Sequence, residues 1–98
     1  MTLEEKIDLL LQREAVKAVM LNFGRALDLG DWALYRSTFA DRIRVDFQRL
    51  TGIPEIEVDA DDWTLFADLI LSPVRRHHQY TNFAINIDGE RASALVYM

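Results

Sequence analysis

The sequence predicts an α+β domain in which an antiparallel sheet is covered on one face by helices. Apolar residues recur every three or four positions in the first third of the chain, as in an amphipathic helix. Near the end, two segments alternate apolar and polar residues on either side of the turn signal Asp88-Gly89, as in a β-hairpin. We expect residues 1–98 to form a single domain of this class.

Composition excludes several classes of function. Half of the residues are hydrophobic and 28% are charged, as in soluble globular proteins. No run of apolar residues is long enough to span a membrane, and the acidic start "MTLEEKIDLL" does not resemble a secretory signal. The chain has no cysteine, and we expect it to be cytoplasmic. With a net charge of −5 and no basic stripe, we expect no nucleic-acid partner.

The first element is a long helix at residues 2–29. Thr2 and Glu5 have the spacing of a capping box, and Gly30 is a suitable residue to follow the last turn. A break near residues 12–14 is an alternative, because the helix is long. Its apolar residues predict one buried stripe, formed by Leu3, Ile7, Leu10, Leu11, Ala18 and Leu21.

Three shorter elements follow in the middle of the chain. They are a helix at residues 32–40, a strand at residues 42–47 and a helix at residues 63–71. Asp31 can cap the first of these helices, and Asp61 or Asp62 can start the second. The intervening segment reads as a loop with a few extended residues at 55–58.

The last element is the hairpin, for which we expect a type I′ turn at Asp88-Gly89 with Ile87 opposite Glu90. In regular geometry Tyr80 and Asn82 share a mixed face with His78, whereas His77 lies on the apolar face; a bulge would exchange the two histidines. The chain ends inside a strand whose edge is unpaired. Either further strands are missing or a second chain covers this edge, so we expect a homo-oligomer through the sheet.

Taken in order, several segments resemble the SnoaL-like branch of the nuclear transport factor 2-like superfamily. They are "FGRALDLGDW", "LYRSTFADRIRVDF" and "HHQYTNFAINIDGERASALVYM". The resemblance implies a cone-shaped fold, in which a strongly curved antiparallel sheet wraps the N-terminal helices around an apolar pocket. Members usually continue with further strands of that sheet, so this sequence resembles a C-terminally shortened form.

The resemblance also implies an acid–base pair. Dehydratase-like members place an aspartate near the end of the first helix and a histidine on the sheet, and these positions match Asp28 and His78. A tyrosine that often assists them matches Phe23, which lacks the phenol. Two simpler interpretations stay open: Asp28 can bond backbone amides in a turn, and His78 can be a packed strand residue.

The function that follows is a cofactor-independent dehydratase, isomerase or cyclase that acts on a small apolar ring. The predicted catalytic residues are Asp28 and His78, and the predicted substrate-binding residues are Asn82, Tyr80, Phe23, Tyr35, Trp63 and Phe66. We expect neither a cofactor nor a metal, because adjacent strand histidines cannot both reach one ion. The alternative is a non-catalytic ligand-binding or oligomerisation domain of the same fold.

Overall fold

The computed structural model describes residues 1–98. Its elements are α1 (Leu3–Leu29), α2 (Trp32–Ser37), β1 (Arg42–Val45), α3 (Gln48–Thr51), β2 (Ile56–Asp59), α4 (Ala60–Leu71), β3 (Thr81–Asp88) and β4 (Arg91–Tyr97). The α+β class is confirmed, and both strand pairs are antiparallel. β1 pairs only with β2, and β3 only with β4, so the strands form two hairpins rather than one continuous sheet.

α1 is one unbroken helix whose two ends are fixed by local hydrogen bonds. The hydroxyl of Thr2 accepts from the backbone N–H of Glu5 at 3.1 Å, and the Glu5 carboxylate accepts from the N–H of Thr2, which completes the capping box. Gly30 ends the helix at a φ of 66°, a left-handed conformation that favours glycine.

The predicted buried stripe of α1 is wrong. All six of its residues are exposed: Leu3, Ile7, Leu10, Leu11, Ala18 and Leu21. The buried residues of α1 are instead Gly24, Ala26 and Leu27, near its C-terminal end. Periodicity defines an apolar face of a helix but does not supply the element that covers it.

The middle elements largely follow the prediction, with shifted ends. The Asp31 carboxylate accepts from the N–H of Leu34 at 3.0 Å and so caps α2. α4 begins at Ala60, directly after β2, and the N–H of Ala60 bonds the carbonyl of Asp41 beside the paired strands. Residues 48–51, predicted as loop, form the short helix α3.

The predicted hairpin register is wrong by two residues. Asp88 pairs with Arg91 and Ile87 with Ala92, so the turn residues are Gly89 and Glu90. Gly89 has a φ of 59° and Glu90 has no positive φ, as in a type II′ turn. An even shift keeps the residues between Ala84 and the turn on their predicted faces, with Ile85 opposite Ala94 and Ile87 opposite Ala92.

A bulge interrupts the β3 ladder between Thr81 and Ala84. Asn82 adopts a left-handed φ of 55° there and is exposed. The bulge exchanges the faces, so His78 and Tyr80 lie on the α1 side together with Phe83. His78 and Asn82 therefore do not share a face, and that prediction is wrong. His78 is the inward-facing histidine, and its neighbour His77 is exposed.

The core lies where three helices meet. Ala26 and Leu27 of α1, Tyr35 of α2 and Ala67 of α4 form its buried cluster. The whole chain measures 49 × 27 × 24 Å with a radius of gyration of 15.3 Å, whereas a compact domain of this length has a radius of about 13 Å. The molecule is therefore elongated, with α1 projecting beyond the core.

Candidate active site

Asp28 and His78 are in direct contact although 50 residues separate them. The Asp28 carboxylate bonds the His78 ring at Nδ1 (2.5 Å) through one oxygen and accepts from the His78 backbone N–H (2.8 Å) through the other. Asp28 lies in the last turn of α1, and His78 lies in the segment without regular secondary structure that leads into β3. Both side chains are partly buried, with 20% and 24% of their surfaces exposed.

The charge of Asp28 is stabilised by this contact. Burial alone would raise the pKa of the carboxyl, but the ring and backbone hydrogen bonds from His78, with smaller contributions from the charges of His78 and His77, lower the pKa below its ordinary value. The end of α1 carries the negative pole of the helix dipole, which disfavours a carboxylate. The two N–H donors of His78 therefore offset an otherwise unfavourable position.

The contact also defines how the imidazole can work. An ionised carboxylate can only accept, so Nδ1 of His78 carries the proton and donates it to Asp28. Nε2 makes no hydrogen bond and is not fully buried. In a neutral ring, Nε2 is then the basic nitrogen, free to take or return a proton. The simpler interpretation, in which Asp28 bonds local backbone amides in a turn, is wrong, because the amide that it bonds belongs to His78.

Tyr80 packs beside this pair. Its ring lies 6.3 Å from the His78 ring, at an interplanar angle of 26°. On its other side is Gly24, where a Cβ atom would stand 2.3 Å from Cε2 of Tyr80, so only glycine leaves room for the ring. The hydroxyl of Tyr80 is buried without a hydrogen-bond partner. Burial, the charge of Asp28 and Tyr35 together raise the pKa of this phenol.

An aromatic cluster borders the site. Tyr35 is buried and accepts a 3.0 Å hydrogen bond from the Trp63 indole, while the Phe23 ring lies 5.1 Å from the Tyr35 ring. Burial raises the pKa of Tyr35, and the bond from Trp63 opposes that shift. Phe66 touches this cluster only through Trp63, at 5.5 Å between ring centroids, and is half exposed. Of the predicted substrate-binding residues, Tyr80 packs beside His78, whereas Phe66 and Asn82 are exposed.

The expected hollow between Asp28 and His78 is not formed. The two side chains touch, and the Tyr80 ring fills the space over Gly24. Two cavities that are open to solvent lie elsewhere: one of about 540 Å³ lies between Arg13 and the β3–β4 hairpin, and the other lies along residues 46–50. The contact therefore leaves no space for a substrate between the two side chains.

Sequence reasoning missed one residue that positions this pair. The Arg76 guanidinium donates to the carbonyls of Leu27 (2.5 Å), Val74 (2.7 Å) and Leu71, and it lies over the Trp32 ring at 5.7 Å. It thus binds the C-terminal ends of both α1 and α4, where unpaired carbonyls favour a cation. The only signal in the sequence was an arginine shortly after a predicted helix end.

No three acidic or histidine side chains converge as metal ligands, and none of the helices is long and apolar enough to cross a membrane.

Neither a curated protein nor a solved structure matches the sequence. The SnoaL-like domain family does match it, over residues 8–98. With nearly the whole length matched and helices and antiparallel strands in the order that the resemblance implied, the chain belongs to the SnoaL-like domain family of the nuclear transport factor 2-like superfamily.

Proposed function

We propose that this chain is a cofactor-independent dehydratase, isomerase or cyclase that acts on a small apolar ring compound, with His78 as the proton-transferring residue. The observation that supports it is the Asp28–His78 contact, which fixes the imidazole by Nδ1 and leaves Nε2 free. Asp28 holds the ring and its tautomer rather than touching the substrate. This division of labour is common where a carboxylate orients a catalytic imidazole.

The proposed reaction uses one proton carrier. Nε2 of His78 takes a proton from a carbon of the substrate, and the Asp28 carboxylate stabilises the imidazolium that forms. In a dehydration, the C–H electron pair forms the new C=C bond as the C–O bond breaks, and the imidazolium gives its proton to the leaving hydroxyl to form water. In an isomerisation, the proton returns to another carbon of the same molecule.

The test uses 5-nitrobenzisoxazole, a planar ring that a base opens by removing a carbon-bound proton. We expect the wild-type chain to open it faster than free imidazole, and His78→Gln to lose about a hundredfold of that rate. Asp28→Asn should lower the rate by a smaller factor because it keeps the backbone hydrogen bond to residue 78 but cannot stabilise the imidazolium.

His77→Gln is the matched control, because His77 is the exposed neighbour of His78 and should leave the rate unchanged. Circular dichroism must show that each variant is folded. Equal rates for the wild-type chain and folded His78→Gln would reject the proposed catalytic role and favour a non-catalytic ligand-binding domain.

We also propose that the chain self-associates through its hairpin, as the unpaired edge suggests. The accessible surface is 7709 Å², about 1,900 Å² more than the roughly 5,800 Å² typical of a folded chain of this mass. A standard interface needs about 800 Å² from each partner. Leu95 and Tyr97 of β4 contribute exposed apolar surface, and β4 pairs only with β3.

Sedimentation equilibrium at micromolar concentration tests this association. We expect a dimer for the wild-type chain and a monomer for Leu95→Lys, which places a charge on the proposed interface. Leu50→Lys, at an exposed position of α3, is the control and should remain dimeric. A monomeric wild-type chain, or a Leu95→Lys variant that stays dimeric, would contradict association through the hairpin.

A further inference from the structure

The hydroxyl of Tyr80 is the one buried side-chain polar atom in the structure without a hydrogen-bond partner. Most buried polar groups in folded proteins are hydrogen-bonded, and an unpaired one lowers stability. Packing does not explain the hydroxyl, because a phenylalanine ring would occupy the space over Gly24 equally well. A group that lowers stability and has no structural partner is often retained for binding or catalysis.

The surroundings of this hydroxyl indicate what it can bind. The Tyr80 ring lies 6.3 Å from the His78 ring, so a group that meets the phenol and a carbon that faces Nε2 can belong to one small molecule. A tyrosine hydroxyl is protonated at neutral pH, and burial raises the pKa of Tyr80 from its ordinary value, so the group can act as a donor. Because the hydroxyl makes no hydrogen bond in the free chain, moving it toward a ligand breaks none.

We propose that Tyr80 donates a hydrogen bond to an oxygen atom of the substrate, which makes the substrate a ring compound with a carbonyl or hydroxyl oxygen close to the carbon that His78 deprotonates. This inference rests on the proposed function of His78. When the proton leaves that carbon, negative charge moves onto a neighbouring carbonyl oxygen, or onto a hydroxyl oxygen as its C–O bond breaks. A donor fixed beside that oxygen stabilises the charge. Phe23 of α1 lacks a phenol, and Tyr80, directly before β3, thus supplies one.

The first experiment compares thermal stability. Tyr80→Phe should leave the Tm unchanged or raise it by a few degrees, since the substitution removes an unpaired polar group and keeps the ring. Tyr97→Phe is the matched control at an exposed tyrosine and should not change the Tm. A fall in Tm for Tyr80→Phe alone would mean that the hydroxyl has a structural partner, which would overturn the inference.

The second experiment measures binding of 2-naphthol and 2-methylnaphthalene, two rings of similar shape that carry a hydroxyl and a methyl group at the same position. The wild-type chain should bind 2-naphthol about tenfold more tightly, the equivalent of one good hydrogen bond. Tyr80→Phe should bind both rings equally, whereas Tyr97→Phe should keep the preference. An unchanged preference in Tyr80→Phe, or no preference in the wild-type chain, would contradict the inference.

His78→Gln separates this inference from the proposed function. It should lose the ring-opening of 5-nitrobenzisoxazole and keep the preference for 2-naphthol, because Tyr80 is intact. If the ring-opening depends on His78 but no preference for 2-naphthol exists, Tyr80 has no such role and the proposed function stands. If the preference depends on Tyr80 but ring-opening does not depend on His78, the site binds an oxygen-bearing ring without catalysis, and the substrate role of Tyr80 falls with the proposed function.

Discussion

The two halves of α1 carry similar helix signals but have different surroundings. In the C-terminal half, Gly24, Ala26 and Leu27 are buried against the rest of the domain, and Leu27 is only 6% exposed. In the N-terminal half, leucines with the same helical spacing are open to solvent, and Leu10 is 64% exposed. Helix formation depends on local residues, whereas burial depends on which other elements reach the helix.

This difference separates a rigid region from an open one. The contacts of α1 with His78, Tyr80 and Arg76 lie in its last two turns, at Gly24, Leu27 and Asp28. The N-terminal half contacts the hairpin through long side chains instead, such as Lys17 over the Phe83 ring and Arg13 on the carbonyl of Ile85. A proton-transfer pair needs fixed geometry, and only the packed half of the helix supplies it.

The largest expected effect compares the same substitution in the two halves. Leu27→Ala should lower the free energy of unfolding by about 2–5 kcal/mol, because it leaves a cavity in the core. Leu10→Ala should change it by less than about 0.5 kcal/mol, since the side chain is largely exposed. Urea denaturation measures both. A large, concentration-dependent loss for Leu10→Ala would instead show that a second copy covers this half of α1.

The next effect concerns the segment that holds His78 against the packed half. Arg76→Ala should lower the free energy of unfolding by about 1.5–3 kcal/mol, because it removes hydrogen bonds from a charged donor to the ends of α1 and α4. It should also weaken the Nδ1 hydrogen bond of His78, which NMR of the imidazole N–H detects. Arg76→Lys should keep only part of the stability that Arg76→Ala loses, since an ammonium lacks the planar fork of a guanidinium.

Arg75→Ala is the control for that comparison, because the exposed neighbour makes no side-chain hydrogen bond in the structure. If Arg75→Ala and Arg76→Ala lower the free energy of unfolding equally, the cause is the loss of a positive charge from a negatively charged domain, and not the loss of the contacts of Arg76.

Sequence reasoning was accurate where the interacting residues are close along the chain. Thr2 with Glu5, and Asp31 with Leu34, form caps within three residues, so a short pattern contains all of the relevant chemistry. It failed for the hairpin register, because Gly89 can be either the first or the second residue of a tight turn. The bulge at Asn82 gave only a weak signal, the tolerance of asparagine for a left-handed conformation.

The candidate site shows a similar limit. Spacing alone could not bring Asp28 and His78 together across 50 residues; the family resemblance did. Arg76 escaped detection because its three acceptors are backbone carbonyls, which have no signature in a sequence. The absence of a formed cavity was equally hidden, since it depends on where the Tyr80 ring packs over Gly24.

The smallest expected effect is the pH dependence of the Asp28 contact. Because hydrogen bonds from His78 lower the pKa of Asp28 in the folded chain, the ionised carboxylate stabilises the fold at pH values above its ordinary pKa of 3.8. This contribution disappears as the pH falls through the lower pKa of the folded chain. The difference in unfolding free energy between the wild-type chain and Asp28→Asn should therefore be constant near neutrality and should shrink below pH 3.8. Taking the difference cancels the other carboxylates, which titrate in both chains.

His78→Gln should reduce the acid-sensitive part of the unfolding free energy without removing it, because the backbone N–H of residue 78 still donates to Asp28. A difference that grows in acid would mean that burial, and not the hydrogen bonds, governs the carboxyl, and Asp28 would then be a poor partner for an imidazolium.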